Sequence, residues 1–166
     1  MSVDIAETVA KPSELPVADP IGELSGYFFE DLEIGMSAAY ARTIGPADLV
    51  MFAGISGDTN PMHLNEEYAA ATMFEGTIAH GFLCLSFIST VIGTRLPGPG
   101  CVYVGQSLKF KAPVRPGDTV TARAVITALD AGRNRAKLRT TCTVGSTVVI
   151  DGEADVLVPQ RALAAE

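Results

Sequence analysis

The chain lacks tryptophan and is poor in several residue types that mark particular classes of protein. Only three cysteines, Cys84, Cys101 and Cys142, occur among its 166 residues, and none stands in a Cys-x-x-Cys pair. This pattern argues against a disulfide framework and a metal module, and it favours a reduced, cytoplasmic protein. Basic residues number 12 against 19 acidic ones, a net charge of −7, which excludes a generally basic nucleic-acid-binding protein.

Charged residues are also absent from residues 76–94. Nineteen uncharged residues approach the roughly 20 that a helix needs to span a bilayer. The segment nevertheless contains a histidine, three glycines and five serines or threonines, which a membrane span would rarely combine. We therefore predict a buried core helix over residues 78–96, and no membrane association.

Charge is unevenly distributed along the rest of the chain. Residues 1–75 hold thirteen acidic and two basic residues, whereas residues 95–139 hold nine basic and two acidic ones. A basic stretch of this kind can bind a polyanionic small molecule locally. The alternative is that it forms the solvated face of a sheet.

The length predicts a single domain, preceded by an arm. Residues 1–26 carry three prolines and five acidic residues, with no basic segment ahead of an apolar one, so they do not look like a secretory or transit peptide. We predict a flexible N-terminal arm over residues 1–26 and one domain over residues 27–162.

Hydrophobic periodicity predicts an α+β fold. Apolar and polar residues alternate in four segments after residue 100, namely 102–110, 119–127, 136–144 and 147–158, and turn residues separate them. A further strand is predicted over residues 37–43, a helix over 47–56, and another helix capped by Asn65. A long apolar helix followed by an antiparallel meander indicates that the sheet wraps the helix.

The first candidate for chemistry is a turn that contains an aspartate and a histidine. His63 follows Asp58 by five residues, with Pro61 between them. A proline-containing turn can direct a carboxylate and an imidazole at one water molecule, and these two groups transfer protons near neutral pH. In the alternative, Asp58 caps the turn, Asn60 caps a short helix and His63 is incidental.

The second candidate is the His80-Gly81 pair at the start of the long helix. The amides of a first helical turn have no intrahelical acceptor, and the helix dipole adds partial positive charge there. Because Gly81 lacks a Cβ, a ligand oxygen can approach its amide closely, as in an oxyanion hole. The alternative is that Gly81 only lets the helix cross the sheet tightly. Together, the two motifs predict a reaction that adds or removes water beside a carbonyl.

These segments resemble the MaoC-like (R)-specific enoyl-CoA hydratases, the hydratase 2 family of the hot-dog fold. The resemblance covers about residues 27–159 and is carried by FAGISGDTNPMH at 52–63, IAHGFL at 78–83, LPGPG at 96–100 and GQSLKF at 105–110. It implies an α+β hot-dog domain that reversibly adds water to a trans-2-enoyl-CoA to give an (R)-3-hydroxyacyl-CoA. Some members of the family feed polyhydroxyalkanoate synthesis.

The resemblance also implies roles for single residues. Asp58 and His63 would activate the water and handle its protons, in a division that stays open. The Gly81 amide would hold the thioester oxygen. The supporting residues would be Asn60, which orients the turn, His80, and Ser89, which falls where the family has a serine that supports the catalytic aspartate. The alternative for Ser89 is a hydroxyl bonded back to its own helix.

Substrate and assembly follow from the same resemblance. Coenzyme A carries phosphates, so we expect it to bind basic residues, for which the candidates are Lys109, Lys111, Arg115, Arg133 and Arg135. No cofactor and no metal are expected, because coenzyme A is part of the substrate. The family implies a homodimer, with a higher oligomer of dimers left open.

Three other functions remain open on the sequence. A hot-dog acyl-CoA thioesterase would share the oxyanion hole without needing the Asp-x4-His turn. A dehydratase acting on acyl carrier protein is a close variant of the leading hypothesis. A non-catalytic module that binds acyl thioesters is the third.

Overall fold

The computed structural model describes residues 20–161, in which five strands form one antiparallel sheet. The strands are β1 (Ser37–Thr43), β2 (Val102–Phe110), β3 (Thr119–Asp130), β4 (Arg135–Val144) and β5 (Thr147–Leu157). Their order across the sheet is β1-β3-β4-β5-β2, so β1 and β2 are the edge strands. The five strands predicted from periodicity are confirmed.

The helices of the described part are short, except for two. They are α1 (Pro20–Leu24), a 3₁₀ turn (Phe29–Asp31), α2 (Pro46–Ser56), α3 (Pro61–Leu64), α4 (Glu66–Ala70) and α5 (Gly81–Thr94). Asn65 caps α4 as predicted, because its side chain accepts the N–H of Tyr68 at 2.9 Å. Within residues 20–161, no helix combines the length and the apolar character needed to cross a bilayer.

The long helix is shorter than predicted at both ends. Its first predicted residues are extended instead, since the N–H of Ala79 donates to the carbonyl of Val114 at 2.7 Å and His80 has φ −58° and ψ 132°. It ends at Thr94, shortly before Pro97, which lacks an N–H and disfavours a helical conformation in Leu96. The prediction of residues 78–96 was therefore wrong by two or three residues at each end.

The core lies between α5 and one face of the sheet. The helix buries the side chains of Cys84, Phe87, Ile88, Val91 and Ile92. The sheet meets them with buried residues of β3, β4 and β5, many of them alanines: Ala122, Ala124, Ile126, Ala136, Leu138, Ala154 and Val156. Small side chains let the helix approach the sheet closely, and each large apolar side chain removed from water stabilises the fold by about 1.5–3 kcal/mol.

One stripe of α5 remains exposed in the single chain. Its residues are three or four positions apart: Phe82, Ser86, Ser89 and Gly93. The stripe borders β2, where Val102 and Val104 are about half exposed and a register shift between Tyr103 and Gly105 marks a bulge. We call this combined area, formed by Phe82, Ser86, Ser89, Val102 and Val104, the α5–β2 surface.

Most of the predicted arm lies outside the described residues. Its last residue, Gly26, packs so closely on Pro97 and Gly98 that a Cβ there would overlap their backbone. The N–H of Gly26 also donates to the carbonyl of Pro99 at 2.8 Å. The boundary at residue 26 stays a prediction, and ordered packing extends at least to that glycine.

Candidate active site

The turn after α2 is held by local hydrogen bonds. Gly57 ends α2 with φ 78°, in the left-handed region that favours glycine. Asp58 Oδ1 accepts the N–H of Asn60 at 3.2 Å, and Asn60 Oδ1 accepts the N–H of Met62 at 3.3 Å as the N-cap of α3. The capping roles considered for Asp58 and Asn60 are therefore present, and they place Asp58 at an exposed position.

His63 is buried, and its ring is fixed on two sides. Its Nδ1 lies 2.8 Å from the carbonyl oxygen of Ile78, which can only accept, so Nδ1 carries the hydrogen. In the neutral ring Nε2 is then left as an acceptor. One ring face stacks on His80 with 3.8 Å between the centroids and 30° between the planes.

The turn brings Asp58, His63 and His80 together. Side-chain atoms of the three residues lie within 4.8 Å of one another, as a water-activating pair with a supporting histidine requires. Such distances also suit a metal ion. However, each ring has one nitrogen at a carbonyl, so each histidine has a single nitrogen left to bind an ion. The prediction that no metal is bound stays a prediction.

The amide of Gly81 is open at the N-terminus of α5. Neither the Gly81 nor the Phe82 N–H meets an acceptor among the described residues, and His80 provides no side-chain cap. At the same time, a Cβ on Gly81 would lie 2.5 Å from Cε1 of Phe110. Both interpretations of the glycine are therefore supported: an accessible amide, and tight packing of an aromatic ring from the sheet.

An apolar cavity of about 430 Å³ adjoins these groups. Its apolar lining surrounds His63, Gly81 and one charged residue, Lys111, and consists of Met73, Phe74, Ile78, Ala79, Phe82, Phe110, Ala112 and Pro113. A mainly apolar cavity with a few convergent polar groups is typical of a small-molecule site. Phe110 was not among the predicted site residues, although an aromatic residue between two lysines at a strand end is a usable signal.

Ser89 is not brought to this cavity within one chain. It lies eight residues beyond Gly81, about 12 Å along the helix axis, and lines a separate cavity of about 350 Å³ between α5 and β2. In the described chain its hydroxyl has no hydrogen-bond partner, whereas its neighbours bond back to helix carbonyls: Ser86, Thr90 and Thr94. The alternative of a back-bonded Ser89 is thus not what the structure shows.

The five basic candidates fall into two groups. Lys109, Lys111 and Arg115 lie in or just after the end of β2, and Lys109 lines a separate groove on the sheet together with Lys111. Lys111 also lines the apolar cavity, and the Arg115 guanidinium donates to the carbonyl of Phe74 in its wall. Neither lysine has an ion-pair partner among residues 20–161.

The other two candidates lie at the opposite end of the sheet. Arg135 aligns with Leu157, which aligns with Val102, so it stands about 26 Å from Phe110 along the strand direction. Arg133 and Arg135 also form ion pairs, with Asp130 at 4.0 Å and with Asp155 at 2.5 Å. The structure does not bring them to the cavity of the same chain.

The thiols take no part in the site. Desolvation by burial raises the pKa of Cys84 to about 11 and that of Cys142 to about 12, and it also raises the pKa of Cys101. A thiol with a raised pKa is a poor nucleophile near neutral pH, since only the thiolate reacts. The groups near the cavity that suit acid–base and oxyanion chemistry are therefore the Asp58 carboxylate, the His63 imidazole and the Gly81 amide.

A sheet packed around one long helix, with an acid–imidazole pair and an open helix amide beside an apolar cavity, defines a hot-dog-fold enzyme. The chain belongs to the MaoC-like domain family, because the sequence model of the family described as "MaoC like domain" matches residues 31–148.

Several relatives are similar over nearly their whole length. An (R)-specific enoyl-CoA hydratase of Rhodospirillum rubrum is 58% identical over 135 residues, which cover 81% of this chain and 94% of that protein. A 3-hydroxybutyryl-CoA dehydratase of Methylorubrum extorquens is 50% identical over 139 residues, 84% of this chain and 88% of that protein. The solved (R)-hydratase of Aeromonas caviae involved in PHA biosynthesis is 43% identical, with a TM-score of 0.76 over 78% of this chain and 99% of that one.

Proposed function

We propose that this chain is an (R)-specific enoyl-CoA hydratase, which reversibly adds water to a trans-2-enoyl-CoA to give an (R)-3-hydroxyacyl-CoA. The observation that carries the proposal is the convergence of Asp58 and His63 beside the cavity that also contains the open amide of Gly81. The names of the relatives support it. The chain is a hydro-lyase.

The proposed reaction uses each of these groups. The oxygen of water attacks C3 of the enoyl thioester. One proton of that water passes to the Asp58–His63 pair, and the other stays on the new hydroxyl group. The electron pair of the double bond moves toward the thioester, so negative charge develops on its oxygen, which the Gly81 amide stabilises. The same pair delivers a proton to C2. The hydrogen bond to Ile78 keeps Nδ1 of His63 occupied, so that Nε2 is the ring atom that exchanges protons.

The substrate fits the surroundings of the pair. The apolar cavity suits an acyl or pantetheine chain, and Lys111, with Lys109 and Arg115 beside it, is placed to attract phosphates. We propose that these three residues bind the coenzyme A moiety, in preference to Arg133 and Arg135. Water addition is redox-neutral, so the proposed reaction requires no cofactor.

We also propose that the α5–β2 surface joins two copies in a homodimer. An edge strand with exposed valines is a surface that proteins usually cover. Ser89 lies on this surface, far along α5 from the Gly81 amide of its own chain. In the proposed dimer its hydroxyl would therefore support Asp58 of the partner subunit. We further propose a cytoplasmic location, which three free thiols support, and a role in PHA biosynthesis like that of the Aeromonas caviae enzyme.

The test is turnover of crotonyl-CoA, followed as loss of enoyl absorbance. We expect hydration by the wild type, and a decrease in kcat of about 10²- to 10⁴-fold in both Asp58→Asn and His63→Gln. Asp130→Asn, at the exposed end of β3, is the matched control and should retain wild-type activity. In the reverse direction only (R)-3-hydroxybutyryl-CoA should be dehydrated.

Other outcomes identify the alternatives. Release of free coenzyme A thiol without hydration would indicate a thioesterase. Saturable binding of C4 to C8 substrates without turnover would indicate a binding module. A higher kcat/KM with crotonyl-acyl carrier protein than with crotonyl-CoA would indicate a carrier-protein dehydratase.

A further inference from the structure

His80 contacts both residues of the acid–imidazole pair, Asp58 through its backbone and His63 through its ring. Its side chain is 1% exposed, and Nε2 lies 3.0 Å from the carbonyl oxygen of Asp58. One ring contact is the stack on His63, and another is Phe52, whose ring centroid is 4.9 Å away. The residue directly precedes Gly81 in the chain, so it adjoins all three groups of the proposed reaction.

The bond from His80 has a particular place among the bonds to Asp58. The other hydrogen bonds of Asp58 in the described chain are local, to the hydroxyl of Ser56 and the N–H of Asn60. Only Nε2 of His80 ties Asp58 to a residue outside this turn and, through it, to the start of α5. The hydrogen bonds between the turn and residues 78–80 thus include two at Ile78, from His63 and to Met62, and one that holds Asp58 itself, from His80.

Packing alone does not explain a histidine at this position. Since Nε2 donates to a carbonyl, Nδ1 of the neutral ring is an acceptor, and it is buried with no hydrogen-bond partner among the described residues. An unpaired buried acceptor is unfavourable. A phenyl ring would fill nearly the same space and stack on His63 without that cost, but it would lack the N–H donor.

We propose that His80 is a positioning residue for the hydration reaction. Its Nε2–H holds the backbone of Asp58, and its ring face holds the plane of His63, so that one side chain sets the geometry of both. His80 transfers no proton itself, because one nitrogen is bound to a carbonyl and the other is buried away from solvent. This inference rests on the proposed function.

Three variants separate the two contacts. His80→Gln keeps an N–H donor at the same number of bonds from Cα as Nε2 but loses the ring. His80→Phe keeps the ring but loses the donor. His80→Asn loses both, since its amide is too short. With crotonyl-CoA we expect kcat to fall about 10-fold in the Gln and Phe variants and about 100-fold in the Asn variant, with KM within about threefold of wild type.

The melting temperature supplies the readout that distinguishes positioning from packing. His80→Phe removes the unpaired nitrogen, so we expect it to melt at or above the wild-type temperature while turning over more slowly. Val91→Ala, a core change in the same helix, is the control and should melt lower with unchanged kcat. A Phe variant with wild-type kcat would overturn the proposal.

A second measurement keeps the inference independent of turnover. Nitrogen-15 NMR of the wild-type imidazoles should find hydrogen on Nε2 of His80 and on Nδ1 of His63, and a crystal structure of His80→Phe should find Asp58 displaced by about 1 Å or more. Absence of hydration by the wild type would refute the proposed function alone. The opposite tautomer of His80, or an unmoved Asp58, would refute the role of His80 alone.

Discussion

The contact between Gly81 and Phe110 ties the proposed oxyanion site to the sheet. The ring of Phe110 occupies the space that any β-carbon at residue 81 would need. Phe110 is itself about half exposed, so its ring can swing outward at modest cost. Steric tolerance and catalytic need at residue 81 can therefore be separated by experiment.

Gly81→Ala should affect activity far more than stability. We expect Phe110 to move aside with a small loss of stability, while the new methyl group obstructs the amide and lowers kcat about 10²- to 10³-fold, as for loss of one oxyanion-hole donor. The double variant Gly81→Ala/Phe110→Ala relieves the clash. It should remain slow if the amide binds the thioester oxygen, whereas recovery of kcat would show that the glycine serves packing only.

At this scale the sequence predicted part of the site. The spacing of Asp58 and His63 around Pro61 indicated convergence, and the structure confirms their proximity. The stacking of the two histidines and the ring over Gly81 could not be predicted, because both depend on how β2 and the turn pack around the start of α5. Ser89 was attributed to the site through the family resemblance, and the single chain places it elsewhere.

Among the elements, the start of α5 has the clearest consequence for function. Residues 78–80 look helical by hydrophobicity, yet their backbone is extended. The carbonyl of Ile78 accepts a hydrogen bond from His63, and the N–H of Ala79 donates to the carbonyl of Val114. Hydrophobicity could not reveal this, because the partners lie 15 and 35 residues away in the chain. A helix that began at residue 78 would lack the exposed amide at Gly81.

The end of β2 places the positive charge of Lys111 at the apolar cavity. Lys111→Ala should raise KM for crotonyl-CoA about fivefold to tenfold with little change in kcat, because an exposed lysine attracts phosphates without touching the reacting atoms. The effect should shrink as salt increases. Lys137→Ala, which also removes an exposed lysine but one paired with Glu153, is the control. Equal KM values for both variants would contradict the proposed phosphate contact.

At the scale of the whole molecule, we expect an added charge to change the oligomeric state at one edge of the sheet and not at the other. Val102→Lys places a charge on the half-exposed edge of β2 and should convert the proposed dimer to monomers in sedimentation experiments. Ala41→Lys, exposed on the β1 edge, is the control and should leave the assembly unchanged. A dimer that survives at β2 but dissociates with the β1 variant would place the interface at the other edge.

The buried thiols predict that stability falls at alkaline pH. In the native chain the pKa values of Cys84 and Cys142 are raised from 9.0 to about 11 and about 12, so the native state binds more protons than the unfolded state above pH 9. The stabilisation is complete below pH 9, begins to fall as the pH passes 9, and is fully lost once the pH has risen through the native values. Urea titrations should find a loss of about 1 kcal/mol per thiol between pH 8 and pH 10.

Alanine variants check the origin of this loss. Cys84→Ala and Cys142→Ala should each flatten the pH dependence by about the contribution of one thiol. Tyr103, whose pKa burial raises to about 12, should extend the decline above pH 10 in both variants. A slope that neither alanine changes would assign the alkaline loss to other groups.

The walls of the apolar cavity come from four separate stretches of chain, around residues 63, 73, 80 and 111. No hairpin or helix contains them all, so individual secondary structure elements can form while the cavity is still missing. During refolding, circular dichroism should therefore recover before enzymatic turnover, and turnover marks completion of the tertiary structure. Catalytic competence is in this sense a property of the finished topology, acquired at the last stage of folding.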